Sequence, residues 1–289
     1  MDVRAILLGL AFAALWSSAF TSARIIVEAA PPLTALVIRY ALSGAIGLGI
    51  AAILGQSWRL TRAQLQAVFI FGICQNALYL GLNFVAMQTI QASLAAIIAS
   101  TMPLLVAAAN WVIFREKLPA LGLMGLVAGF GGVTLIMVQR LGGGVDVYGL
   151  VLCLLGVVAL MVATLAIRKA SAGGTNLMVI IGLQMFVGAA TLLPIALLTE
   201  SWAVTWSWPL VIAFAYTTIG PGLLATWIWF ILVARIGATR AATFHFLNPF
   251  FGVAVAAVLL GESLGSTDII GVAIIAAGIL AVQMSRVKR

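Results

Sequence analysis

His245 is the one histidine of this sequence, and it stands in an apolar run three residues before Asn248. At helical spacing the two side chains share a face. An imidazole titrates near neutral pH, so a histidine within an apolar segment is a candidate for ligand contact or for carrying a proton. A neutral imidazole that only hydrogen-bonds a neighbouring helix is the alternative.

A polar stripe marks a second apolar segment, in which Asn76, Tyr79 and Asn83 are spaced by three and four residues. On a helix these side chains face one way, and facing lipid would be costly. The stripe therefore faces protein or water, and it either binds a ligand or hydrogen-bonds other helices. The candidate binding residues are His245, Asn248, Tyr79, Asn83, Asn76, Trp16, Ser17 and Thr101.

The sequence contains no set of residues that predicts catalysis or metal binding. Its acidic residues stand near the ends of apolar runs, and Cys74 and Cys153 have no metal-ligand spacing. A phosphate-binding Gly-x-x-x-x-Gly-Lys loop is missing, so no ATP hydrolysis and no ATPase subunit are expected. We predict no catalytic residue, no metal and no cofactor. An enzyme that uses His245 with Ser100 or Thr101 is a weaker alternative.

Ten apolar runs must position these side chains, and each has about the 20 residues that a helix needs to cross a bilayer. With 64% hydrophobic and 8% charged residues, the 289-residue chain exceeds the apolar content of soluble domains. The runs are 5–26, 33–54, 65–87, 92–114, 120–138, 148–167, 177–198, 209–233, 238–260 and 266–284. The sequence therefore predicts an all-α membrane protein with ten transmembrane helices.

An internal repeat relates the two halves of the chain. Pro103 and Pro249 are separated by 146 residues (249 minus 103), and the same offset joins Glu116 to Glu262. We predict one five-helix repeat in residues 1–143 and a second in 144–289, within one membrane domain. Because five is odd, the repeats have inverted topology, a recurrent plan of secondary transporters with the substrate site near the midplane.

The repeat-related prolines fall near the middle of spans four and nine. Each removes a backbone hydrogen bond, which frees the carbonyls of Ala99 and His245. Freed carbonyls persist in a bilayer only where protein or a wet cavity satisfies them. We predict that Pro103 and Pro249 are hinges of two bent helices beside a midplane cavity; packed kinks are the alternative.

The basic residues predict the orientation. With a cytoplasmic amino terminus, 12 of the 15 Lys and Arg residues fall inside, Arg140 falls outside, and Arg24 and Arg39 lie within spans. This asymmetry predicts that both termini are cytoplasmic. It also explains the net charge of +8 without a nucleic-acid partner. For Arg39 we expect pairing with Glu28 or extension to the interface, rather than binding of a carboxylate.

A family resemblance follows from the Leu15-Trp16-Ser17-Ser18 pattern, from Pro31-Pro32 and Arg39 downstream, and from the proline-centred fourth and ninth spans. With its Gly-spaced fifth and tenth spans, the chain resembles the ten-helix EamA-type branch of the drug/metabolite transporter superfamily. The resemblance implies a multi-pass exporter in a bacterial inner membrane, and it leans toward exporters of amino acids, including aromatic ones.

The candidate residues themselves favour a small neutral or zwitterionic solute, because they offer rings, amides and hydroxyls with little fixed charge. The expected function is alternating-access export of amino acids, with a small-molecule substrate and the lipid bilayer as partners. A broad-specificity exporter and a passive channel are the alternatives. The sequence predicts no oligomeric state.

Overall fold

The computed structural model of the chain describes residues 3–113, 115, 118–167, 176–236, 241–263 and 265–287. These residues form ten helical spans, so the predicted all-α architecture is confirmed. The spans are α1 (Val3–Ala29), α2 (Pro32–Ile53), α3 (Arg62–Ala86), α4 (Ala92–Val112), α5 (Ala120–Gly142), α6 (Val147–Ile167), α7 (Leu177–Thr199), α8 (Trp208–Ile236), α9 (Ala242–Leu247 followed by Asn248–Leu260) and α10 (Ser266–Val287).

Length and apolarity suit these helices to a bilayer. In the described part of the chain, α1 to α8 are each long and apolar enough to cross it, while the apolar stretches of α9 and α10, Asn248–Leu260 and Ser266–Val282, are shorter. The predicted start of α9 at residue 238 lies outside the described residues, as does Glu116 of the repeat.

Local chemistry explains where several helices begin and end. Thr61 and Gln64 form a capping box at the start of α3, and the Ser207 side chain accepts a hydrogen bond from the Leu210 amide at the start of α8. Pro32 is the first residue of α2, where a missing N–H is harmless. Gly261 ends α9 in the left-handed region, with φ of 65°.

Acidic side chains also cap helices that are remote in sequence. Glu200 accepts hydrogen bonds from the amides of Leu33 and Thr34 at the start of α2, at 2.8 and 2.7 Å. Glu262 accepts from the amides of Ala92 and Ser93 at the start of α4, at 2.8 and 3.0 Å. Each carboxylate satisfies amides that have no partner within their helix and interacts favourably with the helix dipole.

A third carboxylate joins the loop after α5 to the loop after α3. Asp146 accepts hydrogen bonds from the Thr89 hydroxyl at 2.6 Å and from the Gly149 amide at 3.0 Å. These bonds favour the ionised form and lower the pKa of Asp146. The carboxylate thereby caps α6 and holds it beside the end of α3.

Four of the spans depart from regular α-helix. A π-helical segment interrupts α3 at Gly72–Leu80 and α8 at Thr218–Leu224. The two segments begin 146 residues apart (218 minus 72), which is the offset of the repeat. In α4 the helix is interrupted at 100–101, and α9 begins with a 3₁₀ segment, Ala242–Leu247.

The interruptions in α4 and α9 lie beside the two prolines. Pro103 and Pro249 are each the second residue of the helical segment that follows, where a missing N–H is tolerated. At the break in α4, the Ser100 and Thr101 hydroxyls donate to the carbonyls of Ile97 and Ile98, at 2.6 and 2.7 Å. Side chains of the protein thus satisfy part of the interrupted backbone.

Repeat-related helices pack against one another in antiparallel fashion. Along α5 and α10, a Cβ added at Gly125 would lie 2.6 Å from the carbonyl oxygen of Gly278, and one added at Gly132 would lie 2.9 Å from that of Gly271. The repeat offset of 146 relates Gly125 to Gly271 and Gly132 to Gly278, so the two contacts are equivalent. The pair α2 and α7 is antiparallel too, because Glu200 meets the start of α2 and Gln56 meets the amide of Met178.

Antiparallel packing of equivalent helices means that the two repeats run in opposite directions through the molecule. The hydrophobic core is shared between the halves, so packing does not separate residues 1–143 from residues 144–289. The division of the chain at this point therefore stays a prediction. That core joins side chains of α1 to α4 with others of α6 and α7. The molecule is therefore one helical body in which the halves interlock.

Candidate functional site

A narrow cavity lies among α1, α2, α3, α7 and α8, so both repeats contribute to its wall. The centre of a water molecule can occupy about 30 Å³ of this cavity. The cavity therefore has room for about two waters. The lining residues are Trp16, Ala19, Phe20, Ala23, Arg39, Gln75, Asn76, Tyr79, Leu80, Asn83, Phe84, Met87, Met185, Thr217, Pro221, Gly222 and Thr226.

Aromatic rings form one part of the wall. Trp16 and Phe20 lie one helical turn apart on α1, and Tyr79 and Phe84 come from α3. The Trp16 side chain lies beside that of Tyr79. Tyr79 is itself 1% exposed, so its ring is fixed by packing. The rings offer a rigid apolar surface to a bound molecule.

Amide groups of α3 form a second part of the wall, and the two asparagines differ in what they leave free. The Asn83 amide donates to the Tyr79 carbonyl at 2.8 Å, and the Cys153 thiol donates to its oxygen at 3.3 Å. Asn76 donates to the Gln184 carbonyl at 3.0 Å, while its Oδ1 has no partner among the described residues. Asn76 thus keeps an acceptor for a ligand or a water.

The π-helical segments carry much of the lining. Gln75, Asn76 and Tyr79 belong to the segment of α3, and Pro221 and Gly222 to that of α8. A π-turn widens the helix, shifts the following side chains around the axis, and is frequent at functional sites. Two such segments at equivalent positions of the repeats therefore face each other across the cavity.

Arg39 reaches the cavity from α2 and is 3% exposed. Its Nε has no hydrogen-bond partner in the described part of the chain. The predicted pairing with Glu28 is wrong, because Glu28 pairs with Arg24 one turn away at 2.7 Å. Extension of Arg39 to the interface is also wrong, since its side chain is buried. Among the described residues of the lining, Arg39 is the one with a formal charge.

His245 and Asn248 lie outside the lining of this cavity. The imidazole is enclosed by the rings of Phe12, Trp16 and Trp229, with centroids 5.2, 6.4 and 5.1 Å away. Its Nδ1 is 2.8 Å from the Asn248 amide nitrogen, so the two predicted neighbours contact each other. His245 therefore stands behind Trp16, one layer from the cavity.

The two predicted hydroxyl residues are buried away from the lining as well. Ser17 packs between α4 and α9, near Ala96 and Gly252, and its Oγ has no partner among the described residues. Thr101 donates to the Ile98 carbonyl at the break in α4. The structure thus brings Trp16, Asn76, Tyr79 and Asn83 to one cavity, and it does not bring Ser17, Thr101, His245 or Asn248 there.

Several lining residues were not predicted, although the repeat carries a signal for some of them. Met185 and Gly222 are 146 residues after Arg39 and Asn76 (185 minus 39 and 222 minus 76). Thr226 likewise corresponds to Leu80. Applying the offset to Asn76 of the polar stripe therefore finds Gly222, whereas Tyr79 and Asn83 correspond to Ala225 and Trp229, which lie outside the lining. Thr217 has no such polar partner in the first repeat.

Two inverted helical repeats around a shared cavity are the architecture of secondary transporters. The chain belongs to the EamA-like transporter family, whose model matches residues 3–138 and 147–284. The two matches correspond to the two repeats. This family is a branch of the drug/metabolite transporter superfamily. The chain is accordingly a transporter of metabolites rather than an enzyme.

Relatives with assigned names agree with the family. The chain is similar to the uncharacterized transporter YvbV of Bacillus subtilis, at 24% identity over 93% of this chain and 88% of the relative. It is similar to the protein PecM of Dickeya dadantii at 22% identity, with the same coverage of each chain. A solved crystal structure of a protein shares the fold, with a TM-score of 0.72, 20% identity and 99% coverage of both chains.

Proposed function

We propose that this transporter exports small neutral or zwitterionic metabolites, above all amino acids with aromatic or hydrophobic side chains. The observation that carries the proposal is the wall of the cavity, where rings of Trp16, Phe20 and Tyr79 stand beside the free amide oxygen of Asn76. Rings bind an apolar side chain and attract a cation over their faces, and an amide oxygen accepts from an ammonium group.

Transport by this cavity requires a change of conformation. A space for about two waters is too small for an amino acid, so the cavity must widen to bind one. We propose alternating access, in which the repeats move about the bends at Pro103 and Pro249. Satisfied hydroxyl bonds at the break of α4 support this role, because they let the backbone bend without leaving carbonyls unpaired.

A further relative supports a zwitterionic substrate. An S-adenosylmethionine/S-adenosylhomocysteine transporter of Chlamydia muridarum is 29% identical over 46% of this chain and 41% of its own length. Both molecules in that name carry an amino acid head group. Such a head group is common to them and to the amino acids proposed here, so S-adenosylmethionine belongs in any test of substrates.

Counterflow in proteoliposomes tests the proposal. Vesicles that contain the purified protein are loaded with one unlabelled amino acid and assayed for uptake of labelled amino acids and S-adenosylmethionine. We expect saturable uptake that internal aromatic amino acids stimulate. Indifference to every amino acid would overturn the substrate assignment. Equal uptake of unrelated cationic drugs would favour the broad-specificity exporter, and linear flux without stimulation would favour the channel.

The location of the protein forms part of the proposal. Its bacterial relatives and its multi-pass architecture support a bacterial inner membrane. The distribution of basic residues supports cytoplasmic termini, and export follows from the resemblance to exporters. Uptake into inside-out vesicles from expressing cells, compared with right-side-out vesicles, tests the direction of transport.

A further inference from the structure

A buried, positively charged side chain that lines a cavity is the starting observation. The Arg39 guanidinium is 3% exposed, its Nε has no hydrogen-bond partner, and the described residues supply no ion pair to it. Removing a guanidinium from water without an ion-pair partner is expensive, and the cavity offers room for only about two waters beside it. Five N–H donors in a planar fork match a carboxylate.

The repeat explains why a glycine stands beside this guanidinium. In one half, the Asn76 side chain reaches from the π-segment of α3 to Met185, with its Nδ2 at 3.8 Å from the Met185 sulfur. The equivalent positions in the other half are Gly222 and Arg39. A Cβ added at Gly222 would lie 3.0 Å from the carbonyl oxygen of Thr217 and 3.4 Å from both Nη2 of Arg39 and Oγ of Ser43. Gly222 therefore makes room for the Arg39 guanidinium at the position where the first half has the Asn76 side chain.

We propose that Arg39, where its guanidinium lines the cavity beside Gly222, forms a carboxylate-binding subsite. The solutes carried are then organic acids or zwitterions whose carboxylate pairs with Arg39 and whose apolar body lies against the rings of Trp16, Phe20 and Tyr79. This inference rests on the proposed function, in that the same cavity carries the substrate. It adds which group of the substrate the protein requires.

The ammonium group of a zwitterion would have a weaker binding partner in this cavity than the carboxylate. Among the described lining residues there is no Asp or Glu, so an ammonium group would meet ring faces and the Asn76 oxygen. The carboxylate is therefore the group with a charged partner. Amino acids and simple monocarboxylates both satisfy the subsite, and the experiment must separate them.

Three probes with one phenyl body make this separation. L-Phenylalanine has both charged groups, 3-phenylpropionate lacks the amine, and L-phenylalaninamide lacks the carboxylate. Uptake of each is measured in proteoliposomes, together with the shift in unfolding temperature that each produces in detergent. We expect the wild-type protein to prefer L-phenylalanine over L-phenylalaninamide by at least about tenfold, since a charged hydrogen-bonded pair is lost with the amide.

Variants then assign the preference to Arg39. Arg39→Gln is expected to reduce the carboxylate-to-amide ratio to near unity, and Arg39→Lys to retain part of it, because lysine keeps the charge without the fork. Gly222→Ala is expected to weaken carboxylates more than the amide, since its methyl group would lie 3.4 Å from Nη2 of Arg39 and displace the guanidinium. Arg24→Gln is the matched control: Arg24 is also within a span, pairs with Glu28 and stands outside the lining.

The ratio is measured within each variant, so a lower amount of folded protein does not imitate the result. An unchanged ratio in Arg39→Gln, with L-phenylalanine still transported, would overturn the subsite and leave the proposed function standing. If the wild-type protein transports 3-phenylpropionate but not L-phenylalanine, and Arg39→Gln abolishes that transport, the subsite would stand. The proposed transport of amino acids would then be overturned. A wild-type protein without response to either carboxylate would overturn the subsite through both measurements.

Discussion

Polar side chains around the cavity serve two different purposes. Those of Asn83 and Thr217 have their hydrogen bonds made within the protein, so they hold helices in shape. Asn76 and Arg39 keep atoms without a partner in the described structure, although both are buried. Unpaired buried polar groups are costly, and they occur where a ligand or water completes them.

Trp16 is the aromatic residue whose loss should affect transport most directly. It lines the cavity, lies beside Tyr79 and packs against Phe12. We expect Trp16→Ala to weaken the apparent affinity for aromatic amino acids by about tenfold or more in the counterflow assay, since a ring surface for the substrate is removed.

The control for this substitution is Trp206→Ala, because Trp206 is 77% exposed and lies between α7 and α8. It should transport like the wild-type protein. Equal losses in both variants would argue that Trp16 contributes to folding alone. Equal activity of Trp16→Ala and the wild type would remove the ring from the binding surface.

Sequence reasoning found the stripe of α3 because helical spacing alone shows that Asn76, Tyr79 and Asn83 share a face. The predicted pair of Arg39 with Glu28 was wrong, because Glu28 can reach an arginine on α1 or on α2 and the sequence does not show which one it binds. The choice of Arg24 depends on a local contact at a spacing of four residues, whereas burial of Arg39 depends on how five helices pack. His245 was wrongly expected at the cavity for the same reason, because helical spacing does not show that the Trp16 ring lies between the imidazole and the cavity.

Glycine contacts fix the distance between α5 and α10. A Cβ on Gly125 would lie 2.6 Å from a backbone carbonyl of α10, so one helix would have to move. We expect Gly125→Ala to lower the free energy of unfolding by about 1–3 kcal/mol, the usual cost of overpacking. Thermal unfolding of the protein in detergent, followed by tryptophan fluorescence, measures the change.

Gly131 provides a matched control within α5. A Cβ added there would meet nothing within 4 Å, so the substitution tests helix propensity without a clash. We expect Gly131→Ala to be neutral or to stabilise the protein by up to about 1 kcal/mol. Equal destabilisation by both alanines would contradict close packing as the reason for the glycines.

Helix bounds were predictable where composition changes abruptly. The predicted span 177–198 and the observed Leu177–Thr199 agree closely, as do 33–54 and Pro32–Ile53. The π-segments were not predictable, because a continuous apolar run reads the same for α- and π-helix. Pro221 lies between two glycines in α8, and the helix widens there and continues.

Glu262 joins the two halves of the transporter at one end of the helical body. Its carboxylate, at the end of α9, holds the first amides of α4. The orientation inferred from basic residues puts this contact on the outer face, and we expect it to break when the two halves separate on that face. We expect Glu262→Gln to populate the outward-open form more, because a charge-assisted contact with a helix start is weakened.

Thiol labelling from outside the cell measures this shift. Thr226→Cys, in the cavity wall, is introduced after Cys74 and Cys153 have been replaced by serine. We expect Glu262→Gln to speed its modification by an impermeant reagent several-fold. The control is Gln56→Ala, which removes the contact between the end of α2 and the start of α7 on the opposite face. Equal acceleration by both would mean general loosening rather than opening of one face.

The inverted arrangement of the whole chain makes a last prediction about its two surfaces. Ser57 follows α2 and Ser263 follows α9, so an even number of crossings precedes the first and an odd number the second. Both residues are exposed. The loop of Ser57 contains Arg59, whereas 261–265 contains no base, and the positive-inside rule therefore assigns Ser57 to the cytoplasm.

In the same cysteine-free background, an impermeant reagent should modify Ser263→Cys in intact cells. It should modify Ser57→Cys only after the membrane is permeabilised. Modification of both from outside would contradict the count of crossings and the inversion of the repeats. The opposite pattern would keep the inversion but reverse the orientation, and the Glu262 contact would then close the cytoplasmic side of the cavity.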